Sequence, residues 1–351
     1  MIAFRCTLRL CAPPVFALVL LAPAFAQSCL TADDMDAATR TAITTAAQRY
    51  FDMAARGDTA SIQQNAIPSV ASNFSGIEGA IKDQQPVLAG SKGTPRKPFQ
   101  LKADGTAPLE RAEFLCGVFG ANGQTADSAV FVLNNLPPGN YAIDTLDVAS
   151  PKGAHTVSFV LQQIGNDWKV GGVYIKASQI AGHDGDWYAE RAREYKSKNQ
   201  MMNAWFYYVE ARDLLVPVPF MSTRATDRLY DESQNAKPEL PTADHPITLA
   251  AVAGKPSLPK QGEHFNGSAS TSYQIIDMYP TVVGNDFDLV VKYRVPDISD
   301  TGKCFEENMS VIHSLAAKYP EFHDSFNGIV ARAVAPSGQD YGSLLAMKDI
   351  K

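Results

Sequence analysis

The chain has 351 residues, of which 45% are hydrophobic and 19% are charged, a balance that excludes a disordered or fibrous protein. At roughly 100–200 residues per domain, this length predicts two or three domains. The 31 Lys and Arg residues are outnumbered by 37 Asp and Glu residues, a net charge of -6, so the sequence predicts no nucleic-acid partner.

Residues 1–26 have the features of a secretory signal peptide. Arg5 and Arg9 precede an apolar run from Val15 to Leu21, and Ala24–Ala26 has the small residues that signal peptidase recognises. We therefore expect cleavage after Ala26 and a mature protein that is periplasmic or secreted, with a net charge of -8. We expect no membrane span, because no segment reaches about 18 consecutive apolar residues.

Three cysteines follow the cleavage site: Cys29, Cys116 and Cys304. None of them forms a C-x-x-C pair and no His spacing completes a zinc site, so the sequence predicts no metal. In an oxidising compartment, three cysteines most simply form one disulfide and leave one buried thiol. We predict a Cys29–Cys116 disulfide within the first domain and a Cys304 thiol in the second. Two alternatives stay open: a Cys116–Cys304 bridge between the domains, and a lipoprotein acylated at Cys29, although the leucine expected three positions earlier is absent.

The segment 27–178 has the pattern of an α+β domain. Apolar residues at three- and four-residue spacing predict a long helix over residues 31–56 with Thr31 as its N-cap, and a shorter helix from about Thr59. Residues 89–108 are rich in Gly, Lys, Pro and Thr, which predicts a loop. Four runs rich in β-branched and aromatic residues then predict an antiparallel meander, at 128–133, 141–148, 156–164 and 168–176.

Two stretches of this domain resemble parts of NTF2-like domains. The helix Ala46–Ile62 (AAQRYFDMAARGDTASI) is similar to the opening helix of that fold, and Asn166–Ile175 (NDWKVGGVYI) is similar to its last pair of strands. The resemblance covers about residues 30–178, and it implies a long helix on a curved antiparallel sheet that together enclose a cone. Because this fold is shared by enzymes, binding modules and inert scaffolds, the resemblance implies no catalytic residues.

The cone that this resemblance implies is the candidate ligand site. Its candidate ligand-binding residues are Tyr50 on the helix, His155 at a strand start, and Trp168 and Tyr174 on one face of the last strand. A second interpretation is that the aromatic side chains fill the cone, which is the commoner role of an aromatic stripe. The sequence contains no P-loop, dinucleotide-binding, H-E-x-x-H or G-x-S-x-G motif, so we expect no cofactor.

Beyond residue 178 the sequence predicts a helical hairpin and a second small α+β domain. Residues 179–230 resemble one tetratricopeptide repeat, and we expect this hairpin to pack on the first domain because a lone repeat cannot bury its faces. Residues 231–270 contain five prolines between 238 and 259, which predicts a linker that acts as a hinge. Residues 271–351 have the pattern of two strands, a helix and a closing hairpin.

These features predict an exported, non-enzymatic protein that serves binding or assembly, with a small molecule or a protein as its unidentified partner. We also expect a homodimer through an exposed face of strands 156–164 and 168–176. The alternative is a small-molecule enzyme that uses the cone, with His155 or Asp127 as general base.

The polar run His183–Asp186 offers too few oxygens for calcium, so we expect a turn in which Asp186 caps the next helix.

Overall fold

The computed structural model describes residues 27–119, 123–252 and 272–350. The predicted signal peptide and residues 253–270 of the predicted linker lie outside these ranges. The helices are α1 (Ala37–Ala55), α2 (Thr59–Gln64), α3 (Pro68–Ala71), α4 (Ser75–Asp83), α5 (Gln85–Leu88), α6 (Gly185–Ser197), α7 (Met201–Leu215), α8 (Arg224–Gln234) and α9 (Thr301–Lys318). Within the described ranges, none of the helices has the length and hydropathy needed to cross a membrane.

The strands follow the same chain order. They are β1 (Gln27–Leu30), β2 (Lys92–Pro95), β3 (Phe99–Ala103), β4 (Leu109–Cys116), β5 (Ala129–Leu136), β6 (Gly139–Ser150), β7 (Gly153–Ile164), β8 (Asp167–Ala177), β9 (Gln179–Ile180), β10 (His183–Asp184), β11 (Met221–Thr223), β12 (Ile247–Ala250), β13 (Ser272–Val283), β14 (Asp286–Arg294), β15 (Gly328–Val334) and β16 (Asp340–Ala346).

Most of these strands belong to three sheets. The first sheet has the order β1-β3-β6-β7-β8, with β2 paired to β6 beside β3, and the second has the order β11-β5-β4. The third sheet has the order β12-β13-β14-β15-β16, in which β14 and β15 are parallel and the other neighbours are antiparallel. The predicted α+β fold class is therefore confirmed.

Helix α1 begins later than predicted. The carboxylate of Asp36 accepts a hydrogen bond from the Thr39 N–H at 2.9 Å and caps the helix, because the first backbone N–H groups of a helix lack partners within it. Thr31 belongs to the preceding turn, where its hydroxyl donates to Asp34 at 2.6 Å. The buried residues of α1 follow the predicted three- and four-residue spacing: Ile43, Ala46, Ala47, Tyr50, Phe51 and Ala54.

The first sheet is covered on both faces. Along β6, Ala142 and Leu146 pack in the core under α1, whereas Tyr141 and Ile143 pack against the second sheet, as expected from the alternation of side chains along a strand. The domain therefore has three layers: helices, first sheet and second sheet. On the face of β7 and β8 that was predicted to be exposed, the half-buried Val160 and Tyr174 pack against the core of the second sheet. The homodimer predicted through this face stays a prediction.

The segment predicted as a loop, 89–108, contains β2 and β3. Its glycine and lysine content indicated a turn, but Gly93 is needed for close approach: a Cβ there would lie 2.8 Å from Leu146 Cδ2 and 3.1 Å from the Phe51 ring. The predicted meander is correct for β6, β7 and β8. The strand predicted at 128–133 is β5, which pairs with β4 in the second sheet instead.

The helical hairpin α6–α7 turns at Asn199, whose φ is +59°. Its buried side chains, however, belong to the core of the third sheet: the rings of Tyr188 and Tyr207 lie 5.2 and 5.3 Å from Phe287. The Tyr207 hydroxyl donates to the Ser325 carbonyl at 2.6 Å. The structure thus corrects the expected packing on the first domain, whose central sheet already has both faces covered.

Segments between the predicted domains form strands that pair with the sheets. Strand β11, within the predicted hairpin segment, pairs with β5 of the second sheet. Strand β12, within the predicted linker, pairs with β13, and its Leu249 is 2% exposed. Within the described part of the segment predicted as a hinge, Ala236 and Leu249 therefore belong to the core around the third sheet, because alternating apolar residues formed an edge strand despite the neighbouring prolines.

The predicted disulfide is present: Cys29 on β1 is bonded to Cys116 on β4, with the two Cα atoms 4.9 Å apart. Cys304, at the start of α9, is a buried free thiol, as predicted. The bridge ties an edge strand of the first sheet to an edge strand of the second, across a sequence separation of 87 residues.

We predict that the double variant Cys29→Ser/Cys116→Ser unfolds with a free energy lower by about 4–5 kcal/mol, because the bridge no longer restricts the unfolded chain. Chemical denaturation with and without reductant measures this. Reductant should lower the stability of the wild type and of Cys304→Ala, and should leave the double variant unchanged. A reductant effect that persists in the double variant would contradict the assignment.

We predict that Gly185→Ala destabilises the hairpin by roughly 1–3 kcal/mol, the usual cost of overpacking. A Cβ at Gly185 would lie 2.8 Å from the Ala211 carbonyl oxygen on α7, with no room beside Leu215. The matched control is Gly79→Ala in α4, where a Cβ meets nothing within 4 Å and should stabilise the helix by about 1 kcal/mol. Equal effects of the two substitutions on the thermal midpoint would refute the close packing.

Candidate functional site

Two of the predicted ligand-binding residues lie together in the core under α1. The Tyr50 side chain is fully buried and its hydroxyl donates to the Trp168 carbonyl at 2.7 Å. Its ring lies 6.1 Å from Phe159, and Trp168 is 5% exposed. Burial raises the pKa of the Tyr50 hydroxyl. These side chains fill the space between the helix and the sheet, which is the second of the two interpretations made from the sequence.

The other two predicted residues do not join them. Gly171 is an extra residue in β8, where the pairing with β7 shifts between Val160 and Leu161. This β-bulge reverses the alternation, so Tyr174 faces the second sheet, with its ring 5.4 Å from Phe220. The prediction that Trp168 and Tyr174 share a face is therefore wrong. His155 lies at the start of β7, where a ring nitrogen is 3.1 Å from the Gly153 carbonyl.

A groove outside this core has the chemistry of a binding site. It runs between the polar side of α1 and the turn 95–98, as two pockets of about 370 and 510 Å³ that share Thr44, Thr45 and Pro95. We call it the α1 groove. Its lining consists of the hydroxyl and amide residues Thr41, Thr44, Thr45 and Gln48, the charged residues Arg40, Arg49, Asp52, Arg56, Arg96 and Lys97, and the prolines Pro95 and Pro98.

The cations of the α1 groove are oriented by hydrogen bonds. Arg40 donates to the Ala32 carbonyl at 2.8 Å, which leaves its charge uncompensated. Arg96 makes a two-pronged contact with Asp147, at 3.0 Å from Nε and 2.6 Å from Nη2. A guanidinium has five N–H donors, so both arginines retain donors for a ligand.

Lys97 is held between two carboxylates, at 2.8 Å from Asp127 and 3.1 Å from Asp33. These hydrogen bonds raise the pKa of the Lys97 ammonium, with Asp127 contributing most. Asp33, Asp127 and Asp147 line a neighbouring cleft of about 520 Å³, which shares Arg96, Lys97 and Pro98 with the groove. The lining of the groove carries five cations and one carboxylate, and two of these cations, Arg96 and Lys97, are ion-paired with the carboxylates of the cleft. Asp127, predicted as a general base, is an exposed ion-pair partner.

Asp144 on β6 lies beneath the groove. It follows Ala142 on the helix face of the strand, is fully buried, and neither carboxylate oxygen has a hydrogen-bond partner in the described residues. Burial raises the pKa of this carboxyl to about 7, against a smaller opposing effect of the nearby Thr44 hydroxyl. Thr44 lines both pockets of the groove. A proton at this site is therefore exchangeable near neutral pH.

The polar run at the start of α6 is a helix cap. Asp184, rather than the predicted Asp186, accepts a hydrogen bond from the Trp187 N–H at 3.0 Å. The His183 ring stacks on Trp187 with centroids 3.7 Å apart. Across the part of the chain that the structure describes, no group of three or more His, Cys, Asp or Glu side chains has an arrangement suited to a metal ion.

Sequence analysis missed the α1 groove because it followed only the apolar stripe of the helix. The opposite face carries Arg40, Thr44, Gln48, Asp52 and Arg56 at four-residue spacing, which places them on one ridge of a helix. That spacing could have indicated the groove from the sequence. The buried carboxyl could also have been found, because Asp144 lies in strand 141–148 at a position whose neighbours on the same face are apolar.

We predict that Asp144→Asn changes the pH dependence of stability. The carboxyl titrates near 3.8 in the unfolded chain and near 7 in the folded one, so the folded protein binds more protons between these values and its stability falls as pH rises. The asparagine side chain does not titrate. The free energy of unfolding of the variant, relative to that of the wild type, should therefore rise by roughly 4 kcal/mol from pH 4 to pH 8.

Denaturation at these two pH values measures the difference. Asp147→Asn, which removes an exposed carboxylate from the same strand, controls for the loss of one negative charge. Part of the pH dependence should remain in Asp144→Asn, because burial and Asp213 raise the pKa of Glu210 to about 7 as well. A stability difference between variant and wild type that is equal at both pH values would contradict a protonated Asp144.

Comparisons with family models, curated proteins and solved structures found no match for this chain. The resemblances of about residues 30–178 to NTF2-like domains and of the following helical hairpin to a tetratricopeptide repeat therefore remain predictions from the sequence.

Proposed function

We propose that this chain is an exported, non-enzymatic binding protein that holds an anionic ligand in the α1 groove. The observation that carries the proposal is the charge of the lining, five cations against one carboxylate, on a chain whose overall net charge is -6. Arg96 and Lys97 are ion-paired, whereas Arg40, Arg49 and Arg56 make no ion pair within the described residues. Four of the five cations are arginines, whose planar fork matches carboxylate and phosphate groups. The threonine hydroxyls add hydrogen-bond donors without adding charge.

Export to the periplasm or beyond is part of the proposal. Residues 1–26 have the pattern of a cleavable signal peptide, and Cys29 and Cys116 form a disulfide that joins two sheets. Disulfides persist in oxidising compartments and are rare where glutathione keeps thiols reduced. The NTF2-like assignment of the first domain is also proposed, supported by the long helix α1 on an antiparallel sheet.

The absence of enzymatic activity is supported by how the titratable groups are distributed. Tyr50 and Trp168 fill the interior where the cone was expected, and His155, at a strand start, lies opposite Val148 rather than opposite Asp144. The groove lining contains neither His nor Cys, the side chains most often used as base or nucleophile. Its one carboxylate, Asp52, accepts a hydrogen bond from Gln48 at 2.9 Å.

One observation favours the alternative, a small-molecule enzyme. The carboxyl of Asp144 faces the core with a pKa raised to about 7, which is the range suited to a general acid or base at neutral pH. In the described residues, however, neither of its oxygens hydrogen-bonds to a second polar group. We therefore retain binding as the proposed function.

We predict that inorganic phosphate raises the thermal midpoint of the wild type and fails to raise that of Arg40→Ala. A ligand that binds only the folded state stabilises it, and a lost charge-assisted hydrogen bond costs about 1.5–3 kcal/mol of binding free energy. The shift is measured for each variant with and without phosphate, so that any intrinsic effect of the substitution cancels.

Two controls accompany this experiment. Arg111→Ala removes an exposed cation from β4, where the side chain is 64% exposed and 4.0 Å from Glu113, and should respond to phosphate as the wild type does. Sodium chloride at equal ionic strength tests for general screening. The proposal fails if chloride reproduces the shift or if Arg40→Ala retains it.

A further inference from the structure

We propose that the ligand of the α1 groove is an extended acidic oligosaccharide, a chain of uronic acid units, rather than a single small anion. This inference rests on the proposed function, because it names the ligand class for the same groove. Its basis is the length of the groove, the spacing of its cations and the uncharged groups between them.

The groove has the dimensions of an extended ligand. Its helix wall runs from Arg40 to Arg56, 16 residues of helix, which at 1.5 Å per residue is about 24 Å. The two pockets share Thr44, Thr45 and Pro95, so they form one continuous depression along α1. A single phosphate or carboxylate would contact only a small part of this length.

The cations are distributed along the groove instead of converging at one point. Arg40 is near the start of the helix wall, Arg49 near its middle and Arg56 at its end. On the opposite wall, Arg96 and Lys97 are ion-paired, so the three arginines of the helix wall are the cations open to a ligand. Arg49 is held by a hydrogen bond of 2.8 Å from Nη2 to the Tyr50 hydroxyl. Separated cations match a ligand whose negative charges repeat at intervals along a chain.

Uncharged groups alternate with these cations. Thr44 and Gln48 separate Arg40 from Asp52 and Arg56 along the helix ridge, and Pro95 offers a flat apolar surface on the other wall. A chain of uronic acids carries a carboxylate, several hydroxyls and an apolar ring face in every unit, so each kind of group in the groove has a partner. Polyphosphate would leave the hydroxyl, amide and proline surfaces unused.

The helix wall also argues against an extended acidic peptide. Extended peptides commonly add to a free strand edge through their main-chain hydrogen bonds. The backbone groups of α1 within the groove are bonded inside the helix, so recognition on this wall depends on side chains. A sugar chain, which presents hydroxyl and carboxylate groups on its outside, is suited to such a surface.

The test is calorimetric titration of the mature protein with galacturonate oligomers of one, two, four and six units. We expect the affinity to rise at least tenfold from the monomer to the hexamer, and to weaken for the hexamer as salt is raised. Equal affinity for monomer and hexamer would overturn the inference. So would equal binding of a methyl-esterified hexamer, which has no charge.

Variants locate the ligand along the groove. Arg56→Ala, at the far end of the groove, should weaken binding of the hexamer at least fivefold and binding of the monomer by a smaller factor, whereas Arg111→Ala should change neither. A loss that is equal for monomer and hexamer in Arg56→Ala would contradict an extended ligand. Polyphosphate or polyglutamate of matched charge that binds as tightly as the hexamer would overturn the sugar class.

The outcomes separate this inference from the proposed function. If phosphate stabilises the wild type through Arg40 but the oligomers show no dependence on length, anion binding stands and the extended ligand is rejected. If neither phosphate nor any oligomer binds, both are rejected. A length-dependent affinity that is lost in Arg56→Ala supports both.

Discussion

The alternation of side chains along β6 and β7 buries both faces of the first sheet, and the layers of the first domain depend on it. Ala142 and Leu146 face the helices, while Tyr141 and Ile143 face the second sheet. Since neither face is left open, the domain needs three layers, and the Cys29–Cys116 bridge joins the two sheets at their edges. The same alternation places Asp144 on the helix face, where apolar burial raises its pKa.

With the first sheet fully covered, the aromatic hairpin has to bury its surface elsewhere. The rings of Tyr188 and Tyr207 pack on Phe287, and the third sheet supplies the area that they require. The link back to the first domain includes β11, which pairs with β5, and a polar contact: Lys176 of β8 donates to the carbonyls of Asp213 and Val216 at the end of α7, at 2.8 and 3.2 Å. A cation suits that position, because the last carbonyls of a helix lack partners within it.

The spacing of apolar residues predicted the helices and strands well. It did not predict which strands pair, or every face on which a side chain lies. The spacing in α1, the strands β6 to β8 and the Cys29–Cys116 bridge follow from pattern, turn residues and redox compartment. Strand β5 pairs with the preceding strand β4 and with the distant β11 instead of joining the meander, and a bulge at Gly171 places Tyr174 on the other face. Aromatic residues indicated a cavity, but Tyr50 and Trp168 pack as core; a ligand at the predicted residues stays a prediction.

The burial of Asp144 next to the groove would link its protonation to the occupancy of the groove if the proposed anion binds there. The Thr44 side chain lines the groove and acts on the Asp144 carboxyl, so an ionised Asp144 would place a negative charge near the bound anion, and protonation would remove that repulsion. Because coupling between two sites is reciprocal, a bound anion would then raise the pKa of Asp144 further, and the affinity for the anion would fall as pH rises through about 7.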